Sequence, residues 1–167
     1  MRPETVEGYQ KALNTALHIL SGRDHSVREL RQKLEKKGLP EDAIECVVAE
    51  CLRLGYLDDE RAARTLIDRF KRKGCGLRRL RFELSQRGLS GESASALLRS
   101  RFTLENERDL AWRTLERKWR TYPPGEDETK KRARILRFLS GRGFSEASVR
   151  AALDRLGSVG PEERKER

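Results

Sequence analysis

The sequence predicts an all-α fold of three tandem three-helix repeats, stacked as an elongated, curved array. Three observations predict it. Apolar residues recur at three- and four-residue spacing along nearly the whole chain, with no sustained strand alternation. Helix start and stop signals cut that pattern into short pieces. A triplet of basic residue, glycine and apolar residue returns at intervals of 50 and 55 residues, as Lys37-Gly38-Leu39, Arg87-Gly88-Leu89 and Arg142-Gly143-Phe144. At 167 residues, 36% hydrophobic and 38% charged, the chain must build its core from thin amphipathic stripes, which helices supply.

The first helix is expected around Leu13, Leu17 and Leu20. The second opens on Ser26 with Glu29 three residues later, a capping-box pattern, carries Val27, Leu30 and Leu34, and ends at Gly38. Pro40 with Glu41 and Asp42 opens the third, whose apolar side is Ile44, Val47, Val48 and Leu52. Asp58, Asp59 and Glu60 cap and charge-complement the start of the fourth, which presents Leu66, Ile67 and Phe70 and stops before Gly74. The fifth carries Leu80 and Leu84 up to Gly88, and the sixth starts at Ser90. Trp112, Leu115 and Trp119 share one face of the seventh, a core stripe in preference to a base-stacking platform. The eighth carries Ile135 and Leu139 up to Gly143, and the ninth starts at Ser145.

Nine helices of about three turns result. Leu30, Leu80 and Ile135 precede their glycines by eight residues, and Leu34, Leu84 and Leu139 by four, so one buried helix face occurs in three copies. The repeats are drawn at 8–57, 58–103 and 104–157, with a fraying polar tail over 158–167. The irregular stretch Tyr122 to Asp127, with Pro123, Pro124 and Gly125, accounts for the longer second interval. A unit of this size buries little surface alone, so neighbours should stack.

Lys and Arg number 37 against 27 Asp and Glu, a net charge of +10 that favours polyanionic partners, nucleic acid first. The excess is uneven. Residues 1–57 carry 9 basic and 9 acidic residues, 58–68 carry 2 and 4, 69–101 carry 10 and 2, and 102–167 carry 16 and 12. The candidate binding residues are therefore Arg69, Lys71, Arg72, Lys73, Arg78, Arg79, Arg81 and Arg87. A run such as Lys71-Arg72-Lys73 can also simply complement a helix C-terminus.

Catalysis finds little support. His18 and His25 are the two histidines, and His18 reads as a packed or half-exposed ring within a helix. Cys46, Cys51 and Cys75 are too few and unevenly spaced for a disulfide framework or a zinc site; Cys46 and Cys51 read as small core residues. No phosphate-binding Gly-Lys-Ser/Thr loop, nucleophile elbow or paired-histidine zinc motif occurs. The expectation is no catalytic residue, no cofactor, no metal, no membrane span, free thiols in a reducing cytoplasm and a monomer.

The stretch Gly55-Tyr56-Leu57-Asp58-Asp59-Glu60-Arg61, then Ala63, then Lys73-Gly74-Cys75-Gly76-Leu77-Arg78-Arg79-Leu80 with Glu83-Leu84, closely resembles the central signature of the bacterial RecX regulatory proteins. Lys131, Arg132, Leu136 and Phe138 to Ser145 resemble that family's C-terminal repeat, and Arg28-Glu29-Leu30 with Leu34, Lys37 and Gly38 resemble its first. The resemblance runs over about residues 10–156; Leu77 stands where a proline is common and Leu80 where isoleucine is common. It implies three tandem three-helix repeats and a non-enzymatic modulator, usually an inhibitor, of the RecA recombinase. Such proteins lie in the groove of the RecA filament on single-stranded DNA and suppress strand exchange, ATP hydrolysis and coprotease activity. A filament modulator should itself bind naked DNA only weakly and without regard to sequence. Three-helix units with short turns also describe sequence-specific helix-turn-helix regulators, the alternative reading. A helical-repeat adaptor for an acidic protein ranks third.

Overall fold

The structure, a computed structural model, describes residues 3–123 and 127–158. Its elements are α1 (Pro3–Gly22), α2 (Val27–Glu35), α3 (Glu41–Arg53), α4 (Asp59–Lys73), α5 (Leu77–Gln86), α6 (Glu92–Arg101), α7 (Leu104–Trp119), α8 (Glu128–Gly141) and α9 (Glu146–Ser158). No strand occurs among the described residues, so the all-α expectation holds, as does its division into three three-helix units. The centre of the irregular stretch, 124–126, and the tail from Pro161 to Arg167 lie outside the described residues.

Local signals act as their chemistry dictates. Ser26 caps α2 through a full capping box: its side chain accepts from the Glu29 N–H and the Glu29 carboxylate accepts from the Ser26 N–H. Gly38, Gly88 and Gly143 all adopt positive φ, at 69°, 73° and 80°, which ends a helix where a side chain would be strained. Leu39, Leu89 and Phe144 follow them into the interior, and the paired positions Leu30/Leu80/Ile135 and Leu34/Leu84/Leu139 are all buried. The acidic trio divides its work. Asp58 accepts from the Arg61 N–H at the start of α4, Asp59 accepts from the Val27 N–H at the start of α2, and Glu60 pairs with Arg64.

The chain forms two compact units that cut across the repeats: residues 1–66 with 84–97, and residues 67–83 with 98–167. In the first, α1 packs on α3 and α2 around Ala12, Ala16, Leu30, Leu34, Ile44, Val47 and Cys51. Leu17 is exposed here, as is Leu52; Ala12 and Ala16 hold the buried side of α1, because small side chains let two helices approach closely. Cys46 is exposed and Cys51 buried, which corrects the expectation of two core cysteines. Their five-residue spacing puts them about 140° apart on α3, so only one can face inward. Burial pushes the Cys51 thiol up, with neighbouring Glu50 adding to it. His18 is exposed, not packed.

His25 is the buried histidine. Its Nδ1 donates to the Arg23 carbonyl at 2.8 Å, which leaves Nε2 to accept from Lys33 Nζ at 3.0 Å. In the second unit α7 packs on α9 and α8 around Ala111, Trp112, Leu115, Ile135, Leu139 and Phe144.

The two units contain the same joint. In the first, Ser26 Oγ donates to the Arg87 carbonyl, Arg28 covers Gly88 and Asp59 receives the Val27 N–H. In the second, the Gly76 N–H donates to the Arg142 carbonyl at 2.9 Å, Arg79 covers Gly143, and Glu107 receives the Leu77 N–H at 2.9 Å. The start of each repeat's middle helix thus seats on the glycine corner of the next repeat, with a carboxylate on the following opening helix as its acceptor. Gly76 and Gly143 are required for close approach. A Cβ on Gly76 would overlap the backbone of Gly143 and Phe144, and one on Gly143 would lie 2.5 Å from the Arg79 nitrogen.

Candidate partner-binding surface

The compact units redistribute the charge. Residues 67–83 and 98–167 hold 25 basic and 14 acidic residues, net +11; the other unit holds 12 and 13, net −1. The whole excess therefore sits on one body, which gathers the basic centre of the chain and its basic C-terminal third.

Of the eight predicted residues, seven belong to that unit: Arg69, Lys71, Arg72 and Lys73 on the last turns of α4, and Arg78, Arg79 and Arg81 on α5. Arg87 belongs to the other unit, half-buried and 3.8 Å from Glu29. Burial pushes Glu29 up, but its bonds from Arg23 and the Ser26 N–H, with Arg87 nearby, hold it below the ordinary carboxylate value. Arg87 thus serves the first unit's joint.

The seven are not equivalent. Lys71 donates to the carbonyl of Arg101, the last residue of α6, and stands 5.5 Å over the Phe102 ring, so it closes a helix end. Arg79 pairs with Glu83 at 2.9 Å and lies over Phe82. Arg69, Arg72, Lys73, Arg78 and Arg81 are exposed, and among the described residues none pairs with a carboxylate. Nor is the basic run needed to cap α4. Arg142 does that, donating to the Lys73 and Gly74 carbonyls from the end of α8 while stacking 4.7 Å from Phe138.

Two features of this surface lie outside the predicted set of binding residues. Arg113 and Arg117, four apart on α7, stand beside the end of α4, where Arg113 joins Lys71 and Arg72 in lining a surface pocket of about 400 Å³. In the sequence they stand beside Trp112 and Trp119 as an i, i+4 basic pair, a signal that charge summed along the chain does not carry. Glu107 is the second. Its carboxylate, 1% exposed, accepts from the N–H of Leu77 at 2.9 Å and of Ser145 at 3.3 Å, and from the hydroxyls of Ser145 at 2.6 Å and Ser148 at 2.9 Å. It thereby serves the first turns of α5 and α9 at once. Trp112 is buried with Arg155 4.6 Å from its ring, and Trp119 is half-buried under Lys131, so both serve the core. Among the described residues no group of three or more His, Cys, Asp or Glu is placed to hold a metal, and no helix is long and apolar enough to cross a membrane.

Family models described as the first, second and third three-helix domains of RecX match residues 12–51, 58–98 and 105–153, in chain order. The chain belongs to the RecX family. The regulatory protein RecX of Shigella boydii is 38% identical over 149 residues, covering 81% of this chain and 86% of that protein. That of Vibrio vulnificus is 39% identical over 142 residues, covering 84% and 89%. The crystal structure of RecX from Lactobacillus salivarius superposes with a TM-score of 0.76 at 20% identity, over 92% of this chain and 99% of that one. At that identity the likeness speaks for the RecX fold alone. The curated RecX relatives are named as regulatory proteins, in keeping with a regulatory role.

Proposed function

We propose that this RecX-family protein binds filaments of the RecA recombinase on single-stranded DNA and lowers their recombinase, ATPase and coprotease activities, without catalysing a reaction itself. It acts in the cytoplasm, in DNA recombination, repair and the SOS response, and as a monomer. The observation that carries this reading is the match to all three RecX domains in order, on a chain whose entire charge excess lies on one compact unit. A +11 body is drawn to a filament that contains DNA phosphates, and the unpaired arginines Arg69, Arg72, Arg78 and Arg81 offer forked donors to phosphate or carboxylate alike.

Co-sedimentation with preformed recombinase filaments tests the reading. The protein should pellet with filaments at physiological salt and bind naked duplexes weakly, steeply with salt and without regard to sequence. An Arg72→Glu, Arg81→Glu variant should pellet less while melting normally. Preference for one duplex over random duplex by about a thousandfold would instead select the sequence-specific regulator.

A further inference from the structure

One concave site on the basic unit combines charge with shape. Asn106, Asp109, Leu110 and Arg113 stand at i, i+3, i+4 and i+7, one face of α7 about 10 Å long. That face, Phe102 and the α4 residues Lys71 and Arg72 line the 400 Å³ pocket, a volume within the range that holds small organic groups. Lys71 is committed to the Arg101 carbonyl, and it covers the buried Phe102 ring. Arg72 and Arg113 are exposed, and among the described residues neither pairs with a carboxylate. Asp109 lines the same pocket and pairs with neither of them.

Two unpaired arginines, an unpaired carboxylate and half-buried Leu110 make three separate demands on a ligand: an anionic group, an N–H donor and an apolar face. One nucleotide of a single strand meets all three through its phosphate, base edge and base plane. In a duplex that edge is paired and that plane stacked.

We propose that this pocket receives a single nucleotide of single-stranded DNA. Arg72 and Arg113 grip its phosphate, the base lies against Leu110, and Asp109 accepts from the exocyclic amine of cytosine. Thymine presents a carbonyl oxygen at the same position and is repelled by the carboxylate. The proposal deepens the function above and rests on it only for the presence of DNA.

Fluorescence anisotropy with labelled 20-nucleotide oligo(dC) and oligo(dT), across a salt series and with the full chain, tests it. The wild type should bind oligo(dC) about tenfold more tightly than oligo(dT). Asp109→Ala should equalise the two. An Arg72→Gln, Arg113→Gln variant should weaken both and lower the salt slope by about 0.7, the value of one phosphate contact on a single strand. All these positions are exposed, and circular-dichroism melts confirm folding of each variant. Equal binding of the two oligomers by the wild type, a preference that survives Asp109→Ala, or an unchanged slope in the double variant would overturn the proposal. If that unchanged slope came with lost suppression of recombinase ATPase, the pocket would belong to an acidic protein segment. Failure of the wild type to suppress the ATPase, with the oligo(dC) preference intact, would sink the regulatory reading and leave the nucleotide pocket standing.

Discussion

Replacing Glu107 with alanine should be among the most damaging single changes to the second unit. The side chain is 1% exposed and receives four hydrogen bonds from the starts of α5 and α9. Without it the Ser145 hydroxyl still donates to that of Ser148, 2.8 Å away, and the buried Ser148 hydroxyl loses its acceptor. The cost falls on that hydroxyl and chiefly on the Leu77 and Ser145 N–H groups, at about 1–3 kcal/mol for each N–H, and the expected destabilisation is about 3–4 kcal/mol. Trp112 and Trp119 lie within or against the core of the same unit, so their fluorescence in a urea titration reads the loss directly. With a urea slope of about 1–3 kcal/mol per molar, the midpoint should drop by about 1–4 M. Glu107→Gln keeps one oxygen for the two N–H groups and turns its amide toward hydroxyls that can rotate to accept, so it should stay within about 1 kcal/mol of wild type. An alanine variant that melts like wild type, or a glutamine variant as damaged as alanine, would refute the reasoning.

Gly76→Ala must push apart a pair of backbones that touch at the second joint and should cost about 3 kcal/mol or more by tryptophan fluorescence. Gly38→Ala meets only its positive φ of 69° in open space and should cost about 1 kcal/mol by circular dichroism; equal costs would contradict the joint. Burial, then Arg23 and Lys33, outweigh the Arg23 carbonyl and Glu29 and hold the His25 pKa below its ordinary value. The unfolded chain therefore takes up the proton first, so the stability of the first unit should be full above about pH 6.5 and decline as pH falls below it. Denaturant titrations from pH 7.5 to 5.5 should show that decline in the wild type and a flatter profile in His25→Gln; parallel profiles would contradict it.

Much of this was legible in the sequence because it rests on local rules. The capping box at Ser26 and Glu29 and the three glycine corners each need only residues within one turn, and the structure realises them as written. What the sequence withheld were choices made between elements. Leu17 and Leu52 satisfy the helical spacing yet face solvent, because Ala12, Ala16 and Cys51 allow closer packing. The acid trio read as one cap for α4, but Asp59 spans to α2, 32 residues earlier. Charge summed along the chain placed the site in the middle; folding assigned Arg87 to one unit and brought Arg113 beside Arg72 in the other. Glu107 has no sequence signal of its own, since it and Glu105 in the first turn of α7 both read as dipole partners for that helix.

The most direct measurement of the central claim is ATP hydrolysis by the matching RecA recombinase on single-stranded DNA while this protein is titrated from substoichiometric to stoichiometric amounts. Hydrolysis should fall with dose, and an Arg72→Glu, Arg81→Glu variant that melts normally should leave most of it intact. Hydrolysis and filament length that both stay unchanged in the presence of folded wild-type protein would contradict the account.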